Sequence, residues 1–482
     1  MTRLSQFDVR WISRSSDFVF MVLLATCLSV AAANQSRISA RETPTVRLIR
    51  KIQPAVLPIF IQGERAIGSG TASLIHSGGF MLSNDHVTEG KPGVALLDGK
   101  RVPFRVIGRL PGKDLALLQL RTDSKTPAIR LGRSSDLMAG EPTIAAGNPG
   151  GRGIIFSQGI VSAPSIMDGA NALMMTYFLS GRDEYIQFDA ASNPGNSGGP
   201  LVNALGEQIG IVSSGVLNEE NINYAIPMDR VRRLFGHLLP IEVLSDFWTG
   251  IEIDTLTKKA RIKSVKPGSP AAQAGLKKGD VIGSLEGADL RTGVDWILGL
   301  HGHKSGQELK FKLAGKSKRE VTLKLIPQPL PDVVSRKGKE AGLKFEVYHG
   351  KYKILPDFSQ LKPEQTGTTK ELATESLVEG RSDYFALVFN GYLHIPKTGL
   401  YRISLGSDDG SKLFLNGAEF IDNDDNHPLQ HLSRMVRLRA GLNAMRLEYF
   451  DYTGDAELEL LIEGGKFTEP TAIPAIWFLR DK

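Results

Sequence analysis

From residue 46 to about residue 231, short apolar runs alternate with Gly, Pro, Asn and Asp. The runs at 55–61, 71–75, 115–120, 143–146 and 208–212 have the length and spacing of strands, which predicts a sandwich or a pair of barrels. The period changes at 228–239. There Val231, Leu234 and Leu238 recur at helical spacing among Arg230, Arg232 and Arg233, which predicts a helix. A second unit, 247–327, has strand patterns at 260–265 and 321–325 around a short helix, with Ser269 as N-cap, Pro270 in its first turn and Gly275 at its stop. The stretch 328–342, with its prolines, Arg336, Lys337 and Lys339, reads as a linker. A third unit, 343–482, is aromatic-rich and β-patterned, with runs at 384–389, 401–405, 412–415, 444–450 and 456–462. The whole is expected to be mainly β and multidomain.

Composition narrows the class. A chain of 482 residues exceeds one core, and 41% hydrophobic with 23% charged residues excludes a largely disordered protein. Basic residues outnumber acidic ones by only 58 to 52, and the excess is local: 250–342 holds 18 basic against 10 acidic residues. No nucleic-acid partner is expected. Arg3, Arg10 and Arg14 precede an apolar run at 18–33 that ends in Ala31-Ala32-Ala33, the pattern of a signal peptide (1–33) cleaved after Ala33. Retention as an anchor is the alternative, for which the run is slightly short. The expected location is therefore the periplasm, the cell envelope or the medium. The single cysteine, Cys27, lies in this run, so the processed chain would form no disulfide and rely on core packing. Residues 35–50 are polar and basic, a flexible lead-in.

The richest chemistry lies in Asn193-Pro194-Gly195-Asn196-Ser197-Gly198-Gly199-Pro200. A nucleophilic serine needs a tight turn whose amides face a developing oxyanion, and glycines at 195, 198 and 199 let the Gly195 and Ser197 amides converge. A glycine-rich hairpin loop would look the same. Two further segments separate the readings. His86 follows a strand end in Ser83-Asn84-Asp85-His86-Val87, and Asp114 stands at the mouth of an apolar strand in Lys113-Asp114-Leu115-Ala116-Leu117-Leu118. A carboxylate there can orient an imidazole whose other nitrogen faces Ser197. The order His, Asp, Ser excludes the nucleophile-elbow hydrolases. Of the nine histidines only His86 has such a context, and His301 and His303 read as solvated turn residues.

The motifs Gly68-Ser69-Gly70, Asn84-Asp85-His86-Val87, Asp114-Leu115-Ala116, Gly147-Asn148-Pro149, Gly195-Asn196-Ser197-Gly198-Gly199-Pro200 and Asn223-Tyr224-Ala225-Ile226-Pro227 resemble the HtrA/Deg family of serine proteases. The resemblance implies a chymotrypsin-like double β-barrel at 46–240. It assigns His86 as base, Asp114 as its orienter, Ser197 as nucleophile, and Gly195 and Ser197 as the oxyanion hole, with no cofactor for proteolysis. It also implies unfolded or damaged proteins as substrates, a role in protein quality control, and a homotrimer. The substrate pocket is expected at Ala191, Ile211, Val212, Ser213, Ser214 and Tyr224, where no carboxylate could pair with Lys or Arg. Cleavage after small or medium apolar residues follows. The apolar stretch at 163–185 corresponds to a regulatory region of the family.

The second unit (247–327) resembles a PDZ domain through Gly268-Ser269-Pro270-Ala271-Ala272 and Gly279-Asp280-Val281-Ile282. This implies a peptide C-terminus held at Thr249, Gly250 and Ile251. The third unit (343–482) resembles a PA14 domain through Asp383-Tyr384-Phe385-Ala386, Ser407-Asp408-Asp409-Gly410-Ser411 and Asn416-Gly417. A PA14-type β-sandwich implies glycans as partners, with Ca2+ held by Asp408, Asp409, Asp422 and Asn423; a turn bonded to its own backbone is the plainer alternative. The rival to a working protease is a latent or inactive one that serves as a peptide- or glycan-binding, chaperone-like envelope protein.

Overall fold

The structure is a computed structural model that describes residues 41–63, 67–167, 184–215, 221–378, 383–454 and 456–482. The expected signal segment and most of the 163–185 stretch lie outside the described residues. The chain falls into two compact units, one ending at Gln53 and one from Pro54 onward. In the first, the expected lead-in is helical from Pro44 to Ile52, and the Thr43 hydroxyl caps it by accepting the Val46 N–H at 3.2 Å.

In the larger unit six strands close into a barrel, in the order Val56–Gln62, Ile67–His76, Phe80–Ser83, Leu115–Leu120, Lys100–Leu110 and Gly93–Leu97. A second barrel runs Pro200–Asn203, Pro142–Gly147, Ile155–Met167, Glu184–Phe188, Asn223–Pro227 and Glu207–Gly215, and the pairing of its first and last strands closes it. This is the expected double barrel. Closure leaves no long unpaired edge.

Next comes a sheet ordered Ile251–Asp254, Ala260–Val265, Val281–Leu285, Glu308–Ala314 and Glu320–Lys324, with helices Pro270–Gln273 and Gly293–Gly299. The second helix was not read from the sequence. Its signal is Thr292-x-x-Asp295: the Asp295 carboxylate accepts the Thr292 N–H at 2.8 Å. Beyond it two sheets pack face to face, one built around Phe385–Ile395 and Gly441–Asp451, the other ordered Gln430–Leu438, Gly399–Ser407, Leu458–Gly464 and Phe467–Ala472. Tyr401, Ile403, Phe389 and Leu447 belong to the core they share. The stretch expected as a linker is partly built into this sandwich, because Lys339–Ala341 pairs with Phe478–Asp481 and Val334 bridges Leu442.

The helix Met228–Leu238 joins the second barrel to the sheet that follows. Val231, Phe235 and Leu238 share one apolar core with Ile262, Trp296 and Leu313. Arg232 is 1% exposed and donates to the carbonyls of Gly132 at 3.0 Å, Thr255 at 2.6 Å and Thr257 at 2.8 Å. His301 packs edge-on to Phe80 at 5.4 Å, so the expectation of a solvated turn histidine is corrected. Arg232→Ala should therefore cost about 3 kcal/mol, since it strands buried carbonyls. Differential scanning calorimetry should find a midpoint lower by several degrees, and an unchanged midpoint would show that this junction is held by apolar packing alone.

Candidate active site

His86, Asp114 and Ser197 come from three separated segments. His86 sits on the short helix Asp85–Thr88, just past the strand Phe80–Ser83. That helix is fixed at its first residue, because Arg109 grips the Asp85 carboxylate with two bonds of 2.8 and 2.7 Å. Asp114 ends the turn Pro111–Lys113 in a left-handed conformation, φ 49°, which aims its carboxylate at the helix. The His86 Nδ1 lies 2.9 and 3.0 Å from the two Asp114 oxygens, and the His86 backbone N–H donates to one of them at 3.1 Å. An ionised carboxylate only accepts, so Nδ1 carries the hydrogen and Nε2 the lone pair. Asn84 donates its side-chain N–H to the Asp114 carbonyl at 3.1 Å.

Asp114 is also tied to the second barrel. The Ser213 hydroxyl donates to its Oδ2 at 3.0 Å. The Ser213 carbonyl in turn accepts the Ser197 hydroxyl at 2.7 Å. Ser197 follows a loop whose carbonyls are held: Pro194 O accepts the Gly150 N–H at 3.2 Å, and Gly195 O accepts the Thr71 hydroxyl at 2.7 Å. Among the described residues, neither the Gly195 nor the Ser197 amide donates to a backbone carbonyl. Gly195 adopts φ 108° and Gly198 φ 83°, and a Cβ on Gly198 would stand 2.2 Å from both the Ser83 Oγ and the Thr71 carbonyl. Chemically, the site offers a hydroxyl, an oriented imidazole and two amides available to a negative oxygen.

The pocket residues divide. Ile211 and Val212 are 0% and 1% exposed and pack in two apolar cores, so they do not line an open pocket. The Ser213 hydroxyl is committed to Asp114. Ala191 is exposed, and Tyr224 is half-buried with its ring 6.4 Å from that of Tyr185. Ser214 pairs with Tyr224 across the ladder. The nearby Asp189 carboxylate is engaged by the Ile160 N–H at 2.6 Å.

Elsewhere, Thr249, Gly250 and Ile251 do lead into an edge strand, Ile251–Asp254. Asp408 and Asp409 do not meet Asp422 and Asn423 as expected. Asp422 pairs with Lys412 at 3.6 Å, while the Asn423 amide donates to Ser407 and Gln430 and accepts from Gln430. The missed neighbour is Asp451, 0% exposed, whose two oxygens have no hydrogen-bond partner among the described residues. Burial, then Asp409, Asp383 and Asp408, push its carboxyl up to about 7; burial and Asp409 push Asp408 up to about 6. Among the described residues no group of three or more acidic, His or Cys side chains is arranged to hold a metal. Pairing of strand 441–451 with strands 385–395 and 411–415 brings Asp451 here, so no local motif signals it.

Family models match in three places: a trypsin-like peptidase domain at 69–211, a PDZ domain at 249–325 and a PA14 domain at 339–466. The chain is 31% identical over 290 residues to a protein named as a serine protease, HhoB of Synechocystis, covering 56% of this chain and 68% of HhoB. The chain belongs to the HtrA/Deg family of serine proteases. It is also 35% identical over 241 residues to the periplasmic serine endoprotease DegP of Salmonella typhimurium, covering 46% of this chain and 48% of DegP. The chain thus spans about two thirds of HhoB and about half of DegP. A solved HtrA-type protease, AlgW with a tripeptide, matches at 27% identity over 60% of this chain and 99% of AlgW, with a TM-score of 0.36. In this HtrA-family chain, Ser213→Ala should lower kcat/KM on a chromogenic peptide about tenfold, the loss of about 1.5 kcal/mol from one donor to a charged acceptor. An unchanged kcat/KM would mean that the imidazole and amide alone hold Asp114.

Proposed function

We propose that the chain is an exported endopeptidase that cleaves unfolded envelope proteins after small or medium apolar residues. The observation that carries this reading is the Asp114 carboxylate bonded at once to the His86 imidazole, the His86 amide and the Ser213 hydroxyl. In the proposed reaction the Ser197 hydroxyl leaves the Ser213 carbonyl and turns to the imidazole. His86 takes the proton as Ser197 Oγ attacks the peptide carbonyl, and the Gly195 and Ser197 amides receive the oxyanion. His86 then protonates the leaving amine, and water enters by the same route. An apolar P1 preference is supported by the lack of a carboxylate at Ala191, Ser213, Ser214 and Tyr224. Relatives named periplasmic support export. Among the described residues no helix is long and apolar enough to cross a membrane. A trimer formed by the protease domain follows by analogy.

The test is unfolded casein with wild type and Ser197→Ala, each with and without a hydrophobic-ended peptide. Cleavage by wild type alone, with fragments ending in Val, Ala or Leu, is expected. No cleavage under any condition would favour the latent reading, to which the Ser197–Ser213 bond of this resting state also lends weight.

For the PA14 domain we propose a cation-dependent, glycan-binding role that targets the protease. The orphaned Asp451 carboxylate supports it, since Ca2+ prefers hard oxygen ligands, and binding would have to draw Asp408 and Asp409 in, because among the described residues they do not already form a metal-holding group. Without a cation these raised carboxyls cost stability as pH rises from about 4 through about 7. Millimolar Ca2+ at pH 8 should raise the melting midpoint of the wild type, and not that of Asp451→Asn. No shift in the wild type removes the cation, and with it the expected route to a glycan.

A further inference from the structure

The short helix Ile241–Leu244 lies between the last helix of the protease domain and the loop that opens the edge strand Ile251–Asp254. An edge strand of this kind accepts an extended peptide, whose terminal carboxylate then falls on the amides at the loop. In this structure a carboxylate already occupies that place. Glu242 accepts both the side-chain hydroxyl and the backbone N–H of Thr249. Thr249 is fully buried, and its Oγ1 accepts the Ile251 N–H at 3.0 Å, so the loop is organised around the Glu242 carboxylate.

The surroundings fit a ligand site. Glu242 lines a cavity of about 880 Å³ together with Ile251, Ile253, Ile297 and Leu300, an apolar wall suited to a terminal side chain. The helix that presents Glu242 is held from both sides. The Glu242 carbonyl accepts the Phe247 N–H at 3.1 Å, and the Val243 and Leu244 carbonyls accept the Arg437 guanidinium at 2.8 and 3.5 Å. Burial pushes the Glu242 carboxyl up to about 7, the mark of a carboxyl kept from water by its neighbours.

We propose that Glu242 is an internal ligand of the PDZ carboxylate loop, and that a peptide C-terminus binds by displacing it. The proposal rests on the reading of Thr249, Gly250 and Ile251 as the peptide-carboxylate loop. A tethered carboxylate competes at high effective concentration, so the affinity for a peptide is reduced by the fraction of time the loop is free. A ligand lacking a free carboxylate, such as an internal segment of an unfolded chain, does not engage the loop amides and so gains nothing when Glu242 leaves them.

The experiment uses the full chain carrying Ser197→Ala and a fluorescent decapeptide ending in Val, with a free carboxylate or a carboxamide. Binding is read by anisotropy in the parent, in Glu242→Ala, and in Glu242→Asp, which keeps the charge but withdraws it by one methylene. Thermal melts establish that each variant is folded. Both variants should bind the free-carboxylate peptide about tenfold tighter than the parent, a gain the carboxamide does not share. Equal affinity in parent and folded variants would overturn the latch while leaving the loop as a peptide site. Binding of neither peptide by any of the three would overturn the reading of the loop, and the latch with it.

Discussion

The two barrels meet at one buried carboxylate. Asp114 stands at the seam of two barrels and receives an imidazole, a backbone amide and a hydroxyl, the last from the second barrel. A charge with so little access to water persists only when its partners are in place. The carboxylate thus sets the His86 tautomer and at the same time ties the barrels into one geometry. Arg109 on Asp85 and Thr71 on Gly195 do the same one step further out, fixing the segments that carry His86 and Ser197.

The third domain is not a free appendage. Its strand Gln430–Leu438 lies against the turn Pro111–Lys113 that sets Asp114: a Cβ on Gly112 would stand 2.9 Å from the His431 carbonyl and from Leu432. Through Arg437 the same strand holds the helix that presents Glu242. Arg232 pins the PDZ domain to the last protease helix. One PA14 strand therefore touches both the turn that sets Asp114 and the helix that carries Glu242.

The double barrel and the His86–Asp114 pair were legible because each depends on local chemistry. Glycines must surround Ser197, and His86 and Asp114 must stand at strand ends. The PDZ and PA14 resemblances also carried, since their turns are written in Ser-Pro, Gly-Asp and Asp-Asp-Gly motifs. What escaped was set by distant pairing. The bond from the Ser213 hydroxyl to Asp114 is one such case, because nothing in the Ser213 strand shows that the other barrel supplies the acceptor. Ile211 and Val212 belong to cores for the same reason: alternation sends neighbours in a strand to opposite faces, here into two packed interiors. Asp451 reaches Asp409 through a ladder, and Lys339–Ala341 finds its partner at the far end of the chain. Loop composition could reveal neither.

The measurement that bears most directly on the account is covalent labelling by a fluorophosphonate, which reacts only with a serine activated by an adjacent base. Mass spectrometry after digestion should find one adduct, on Ser197, in the wild type, and none in folded His86→Ala or Asp114→Ala. An adduct on another serine, or labelling of Ser197 that persists without His86, would contradict the proposed roles of these residues.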